Sequence, residues 1–502
     1  MSTIPNRFLR DGRGLPSNLE EERIRIEGLA RSYGLDFFET IFEMCTYEEI
    51  NMLAAYGGFP TRYPHWRFGM DFLETNKSYE YGLSKIYEMV INTDPAYAYL
   101  MDCNLDVDQK LVMAHVFGHV DFFKNNAWFR HTNRKMLDQM ANHATRVRNF
   151  MARHGVDEVE RTIDLALSLD NLVDPYRDHI ARPKDEEVID DLPSDAAARL
   201  PAKAYMDRYV NPPEWLDAQR QRAERETADQ RFPEHPERDV LAFVIEHARM
   251  PAWKAEILHI VHDEAMYFAP QAQTKIMNEG WATYWHTHLM TRHVLTDGDV
   301  VDYCDHHSGT TAQQPGRLNP YKLGVELWRH IERRWDRGQF GKDWLEETSP
   351  EARRQWDTHA HLGRKKLFEV RSTHNDVTFL DAFLTEDFCR EQGFFTQKYD
   401  AKSQSWELAS EEFADVKKGL LSMLASRGTP RISVVDGNGL NQGVLCLAHD
   451  HEGPDLDLNY ATTVLGNLAA LWGRPVHLAT QLDAKPVRLV HDGANLSRVD
   501  GP

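Results

Sequence analysis

Two histidines one helical turn apart constrain this chain more than any other feature. His115 and His119 stand in the segment LVMAHVFGHVDFFKNN, residues 111–126, whose long apolar run predicts a helix. Residues at i and i+4 lie one above the other on the same helix face. That spacing lets two imidazoles grip one metal ion. The alternative is a pair of packed histidines satisfied by hydrogen bonds. Asp121 and the pair Asn125 and Asn126 add polar groups to the same helix. Buried polar groups need partners, which points to a site here and not to plain core.

The remaining pattern predicts a mainly α-helical chain. With 502 residues it is long enough for more than one domain. Residues 18–56 read as two helices, 57–76 as a Gly-, Pro- and aromatic-rich loop, and 77–93 and 106–124 as helices. Further helices are expected in 133–171, 239–268, 274–292 and 321–337, with a loop at 305–320. Between about 176 and 238 apolar residues thin out and charges and prolines multiply, as in a solvated arm or insertion. After about 427 the period changes. Arg431–Val435, Val444–Leu447, Pro475–Ala479 and Val487–Val490 read as strands and 458–472 as a helix. The expected organisation is therefore a helical main domain, 18–400, and a small β-β-α-β-β domain of the α+β class, 427–492.

Composition removes several function classes. Lys and Arg number 58 against 78 Asp and Glu, a net charge of −20. An acidic surface of that size argues against nucleic acid or anionic membrane as the main partner. The five cysteines, at 45, 103, 304, 389 and 446, form no C-x-x-C pair and suit a reducing compartment. The opening MSTIPNRFLRDGRGLP has no apolar signal-peptide core, and no run of about 18 apolar residues occurs. A cytoplasmic protein is the expectation. Walker-A, G-x-G-x-x-G, G-x-S-x-G and EF-hand patterns are absent.

Other candidates surround the histidine pair. Glu279, in NEGWATYWH, could complete a His, His, Glu ligand set, and His286 follows two turns later on one face. Trp281, Tyr284 and Trp285 flank them. A carboxylate among aromatics is desolvated and its pKa rises unless a cation pairs with it. The competing reading is a glutamate that caps a helix or pairs with arginine. Glu264 is the candidate general base, against the alternative of a surface carboxylate. Glu256-x-x-His259 is half of a carboxylate-bridged di-iron pattern, with no second half. Cys304, His306 and His307 could ligate zinc or supply a thiol nucleophile. In the H-E-x-x-H helix of zinc hydrolases the residue after the first histidine is the general base. Here that position is Val116.

These segments resemble the SpoVR family (stage V sporulation protein R). The likeness runs through YPHWRFG, YGLSKIYEMVINTDPAYAYL, LVMAHVFGHVDFFKNN and NRKMLDQMANHA. It continues through WKAEILHIVHDEAMYFAPQAQTKIMNEGWATYWH, HSGTTAQQPGRLNPYKLG and LFEVRSTHNDVTFLDAFLT, together most of residues 20–400. The resemblance implies a role in spore cortex formation, or in stress and envelope adaptation in bacteria that do not sporulate. It implies a PrkA-type serine kinase and a von Willebrand-domain protein as partners. NEGWA is similar to the glutamate-bearing helix of zincin-like metallopeptidases. Carried over, His115, His119 and Glu279 become ligands of a divalent metal, with zinc expected. Water activated there would attack a peptide or peptidoglycan-like amide, with Glu264 as base and His286 or His307 near the oxyanion. Val116 departs from the hydrolase pattern and keeps a second function open: a non-catalytic regulator or scaffold.

Overall fold

The histidine segment folds as the helix Asp106–Asn125, with Asp106 and Asp108 at its positive end and Lys124 at its negative end. Residues Val107–Gln109 and Leu111–Phe123 are all buried. A helix apolar on every side must lie at the centre of its unit. Helices Ser17–Ser32 and Lys275–Leu289 pack against it, Pro320–Asp336 packs on Lys275–Leu289, and Gly363–Thr373 packs on Pro320–Asp336. The computed structural model describes residues 14–80, 88–177, 200–203, 206–217, 231–312, 318–394, 396–400, 405–410, 412–426 and 428–501. Among them the chain is mainly helical. No described helix is long and apolar enough to cross a membrane.

Two compact units form. The first comprises Met1–Glu160 and Tyr267–Gly428, the second Arg161–Met266 and Thr429–Pro502. The expected bounds, 18–400 and 427–492, follow chain order, whereas the packing units do not. In the second unit the C-terminal sheet shares its core with Val240, Leu241, Phe243 and Val244 of the helix Val240–His247. Glu237 also pairs with Val434, each accepting the other's backbone N–H. Most of the expected arm at 176–238 lies outside the described residues; the rest includes short helices at Asp207–Val210 and 213–217.

The first unit carries a sheet that helical periodicity conceals. Strands β1 (Thr40–Cys45), β2 (Glu88–Ile91) and β3 (Ala96–Met101) run in the order β1-β3-β2, with β1 parallel and β2 antiparallel to β3. The two helices expected in 18–56 exist as Ser17–Ser32 and Tyr47–Ala55, but TIFEMC between them is a strand. Its β-branched and aromatic residues suit a half-buried pleat. The helix expected over 77–93 ends at Glu80, and 88–91 is β2; 81–87 lie outside the described residues. The loop expected at 57–76 also gives way at Trp66, where the helix Trp66–Glu80 begins.

After the antiparallel pair β4 (Thr396–Asp400) and β5 (Ser405–Ser410) of the first unit, the second unit holds β6 (Ile432–Gly439), β7 (Val444–His449), β8 (Val476–Leu482), β9 (Lys485–His491) and β10 (Leu496–Asp500), in the order β10-β9-β8-β7-β6. Helix Leu458–Trp472 makes the crossover between the parallel pair β7 and β8. The expected β-β-α-β-β domain thus gains a fifth strand. β10 is a largely exposed edge, so LSRVD shows no alternation of buried residues.

Glycines set how closely the central helices approach. A Cβ on Gly280 would lie 2.4 Å from the backbone of Gly324, and one on Gly324 would lie 2.2 Å from the Ile276 carbonyl oxygen. Gly280→Ala should therefore force the helices apart and cost about 1–3 kcal/mol in overpacking. Gly69→Ala, on an open helix position with no atom within 4 Å of the added Cβ, should be neutral or slightly stabilising. Urea unfolding of both variants checks the contrast; equal midpoints would contradict it.

Candidate metal centre

Two helices meet at the histidine pair. His115 and His119 project from Asp106–Asn125, and Glu279 projects from Lys275–Leu289. Gly118, between the two histidines, permits the meeting: a Cβ there would lie 2.7 Å from the Ala282 Cα. Glu279 Oε2 then stands 3.7 Å from His115 Nε2 and 3.4 Å from His119 Nε2. One ligand atom from each of the three residues lies within 4.8 Å of the others. The imidazole centroids are 4.5 Å apart and nearly perpendicular, at 84°.

The contacts behind the imidazoles orient them. His119 Nδ1 is 2.9 Å from Asn278 Oδ1, and His115 Nδ1 is 2.9 Å from His286 Nδ1. A carbonyl oxygen facing His119 Nδ1 fixes the proton there and leaves the Nε2 lone pair turned toward Glu279. Glu279 Oε2 is buried and has no hydrogen-bond partner. Burial opposes its charge, yet the two facing imidazoles outweigh that and hold the carboxyl well below the usual range. Burial, with His115 and His307 nearby, pushes the His286 pKa well below the ordinary histidine value, so the ring is neutral.

Surrounding polar residues hold the scaffold. Asp121, flagged in the sequence as needing a partner, accepts both oxygens' worth of hydrogen bonds from Arg371 Nη1, at 2.6 and 2.7 Å. The Trp281 indole N–H and the Asp36 backbone N–H also donate to it, at 2.8 and 2.7 Å. This one carboxylate ties the histidine helix to the glutamate helix and to Gly363–Thr373. Asn126 donates to the Arg371 and His374 carbonyls, at 2.7 and 2.9 Å. Buried Asp376 accepts from the Ile276 and Met277 N–H groups, both at 2.9 Å, and so caps the helix that carries Glu279. Burial pushes its pKa up to about 7, against the pull of those two bonds.

The other sequence candidates are placed differently. The stretch read as a loop at 305–320 begins as the helix Val300–Thr310, which carries Cys304, His306 and His307. His306 Nδ1 is 2.8 Å from Asp108 Oδ1, which fastens that helix to the histidine helix. His307 stacks on Tyr303 and its ring centroid lies 5.7 Å from that of His286. Cys304 is exposed. Glu264 is buried on the helix Ala252–Gln273, in the second unit, and does not belong to the three-residue cluster. Glu256 and His259 lie on the same helix and also fall outside it. Val116 is fully buried among the apolar residues of the first unit's core.

Residues 15–429 match the family model described as SpoVR like protein, and residues 430–483 match the SpoVR-like C-terminal domain. The chain belongs to the SpoVR family. It is 31% identical over 500 residues to "Uncharacterized protein YcgB" of Escherichia coli (strain K12), with 93% of this chain and 92% of that protein covered. No solved structure matches. In this SpoVR chain the segments that carry the resemblance hold the triad, Asp121, Arg371 and Asp376. The sequence reading assigned no role to Gly118, Asn278, Arg371 or Asp376. A glycine between the two histidines, and an asparagine directly before Glu279, were the available signals.

Two predictions follow from the scaffold. Asp121→Ala leaves the Arg371 guanidinium buried without its carboxylate and should cost about 3–5 kcal/mol in urea unfolding; a loss near zero would mean that the network is not holding the helices. Asp376 tests the pH dependence. Folded, it keeps its proton up to about pH 7, whereas an unfolded aspartate loses it near about 3.9. Its stabilising contribution is complete below the lower value and is lost as pH rises through the upper one. The stability difference between metal-free wild type and Asp376→Asn should therefore move against the wild type from about pH 4 to 7 and level off above. A difference flat across that range would contradict the assignment.

Proposed function

We propose that this SpoVR protein is a cytoplasmic metalloprotein that holds a divalent cation, zinc by its donor set, on His115, His119 and Glu279. We read it as a zincin-like amide or peptide hydrolase. The observation that carries the metal reading is the buried Glu279 oxygen with no hydrogen-bond partner, facing two imidazole nitrogens at 3.4 and 3.7 Å. Donors about 2.0–2.1 Å from a tetrahedral zinc lie roughly 3.3 Å from one another. The three residues therefore fit the ion with little rearrangement. The donors are two nitrogens and one oxygen, the set used at catalytic zinc sites, which leave a position open.

A bound zinc would act as a Lewis acid toward an amide carbonyl and would acidify a water. The residues of the chain supply the rest. Asn278 and His286 orient the two imidazoles. Neutral His286 lies behind His115, at its Nδ1, and His307 packs on His286, so neither is given the oxyanion role expected of it. Val116 cannot take a proton, and Glu264, the base expected from the sequence, lies in the second unit and outside the triad, so the base is left unassigned. The substrate class is a peptide or a peptidoglycan-like amide, as the family resemblance implies.

One observation favours a second reading. The base position of the zinc-hydrolase helix is filled by a buried valine. The ion would then staple the helices of a regulatory or scaffold protein working with a PrkA-type kinase and a von Willebrand-domain protein. Metal content and hydrolysis, measured together, separate the two. Wild type should hold about one zinc per chain, and His115→Ala/His119→Ala should hold none. For a hydrolase, zinc-loaded wild type should cleave members of an amide and peptide panel, and zinc-free wild type should cleave none of them. Zinc retention with no cleavage of any panel member supports the scaffold. No zinc in wild type, even when zinc is added, would sink both.

A further inference from the structure

The hydrogen-bond chain behind His115 dictates the polarity of a second, ligand-facing subsite. Its starting point is the metal reading, on which this inference rests. To face a cation, His115 Nε2 must present its lone pair, so the ring proton sits on Nδ1. That proton is directed at His286 Nδ1, 2.9 Å away. His286 must accept there, so its own proton sits on Nε2. This Nε2–H is buried and has no hydrogen-bond partner.

It is not alone. Thr283 Oγ1, fully buried and also without a partner, lies on the same helix face as Glu279 and His286, one turn from each. Across from them His307 Nδ1 is buried without a partner as well, with its ring centroid 5.7 Å from that of His286. An unpartnered buried polar group costs about 1–3 kcal/mol. Two on one helix face and a third on the imidazole that packs on His286 mark a place built for a ligand atom. His286 offers a fixed donor that Thr283 and His307 can join, and an ammonium group brings no acceptor for it.

The geometry points to an oxygen-anion subsite formed by Thr283, His286 and His307. It would hold a carboxylate oxygen of the ligand, with the His115 ring between that oxygen and the triad. Its ligand class is a carboxylate, such as the acid that amide hydrolysis releases, and not an amine. His286 thereby has two faces: Nδ1 positions a metal-binding imidazole, and Nε2 meets the ligand.

The two faces can be separated by substitution. His286→Asn sets an amide oxygen close to the former Nδ1 position, where it can accept from His115, and removes the Nε2 donor. Thr283→Val removes the hydroxyl at nearly constant volume and does not touch His115. Full-length protein, wild type and both variants, is loaded with zinc, assayed for zinc, and titrated calorimetrically with acetate and with methylammonium. Wild type should bind acetate and not methylammonium. Thr283→Val should keep its zinc and bind acetate more weakly, and His286→Asn should lose roughly tenfold or more. Zinc retained with acetate affinity unchanged in Thr283→Val would overturn the subsite and leave the metal centre standing. So would wild type that holds zinc but binds no acetate, or that binds methylammonium equally well. If His286→Asn sheds zinc, Thr283→Val decides. Wild type that takes up no zinc removes the metal reading itself, and this inference with it.

Discussion

The close passage of Gly118 over Ala282 is the constraint on which the site depends. Any side chain at position 118 would drive its Cβ to 2.7 Å from the facing backbone. Only at that separation can imidazoles from one helix and a carboxylate from the next converge within 4.8 Å. The same device recurs one helix further on, where Gly280 meets Gly324. Two adjacent chemical features of the sequence thus share a cause. The glycine inside HVFGH and the glycine directly after Glu279 let the backbones approach, and the polar residues beside them occupy the space so defined.

Close approach alone does not fix rotation or register. Asp121 does much of that. It lies two residues beyond His119, and Trp281, which donates to it, lies two residues beyond Glu279. A single buried carboxylate therefore locks both helices that carry the triad, with Arg371 supplying the opposite charge. Removing one partner of such a pair is far more damaging than its net contribution suggests, because the other charge stays buried. Asp376 secures the start of the glutamate helix in the same spirit, through backbone N–H groups. Asn278 and His286 finish the arrangement by orienting the two imidazole rings. The site is specified from the backbone outward, by helix spacing, then helix rotation, then ring orientation.

The local part of this was legible in the sequence. Histidines at i and i+4 in an apolar run, and a glutamate among aromatics, identify side chains that share a face or lack water. Asp121 could be flagged as needing a partner, but not paired, because Arg371 is 250 residues away and no local period connects them. Short strands were lost where burial is one-sided or brief: TIFEMC is only six residues long and LSRVD is a mostly exposed edge. The segment around His307 read as a loop because Ser308, Gly309 and the following polar residues dilute the helical period. In the structure Tyr303 and His307 are one turn apart and stack on each other. The family resemblance held across residues 15–429, and the three side chains it named as ligands converge.

X-ray absorption at the zinc edge of the full-length protein, after zinc loading and removal of loosely bound metal, tests the central claim most directly. The account predicts a first shell of nitrogen and oxygen only, at about 2.0–2.2 Å, with the outer-shell scattering of two imidazoles. A shell containing sulfur at about 2.3 Å would place the ion on cysteines instead. A protein that retains no zinc would leave His115, His119 and Glu279 as a structural cluster, and the account would be wrong.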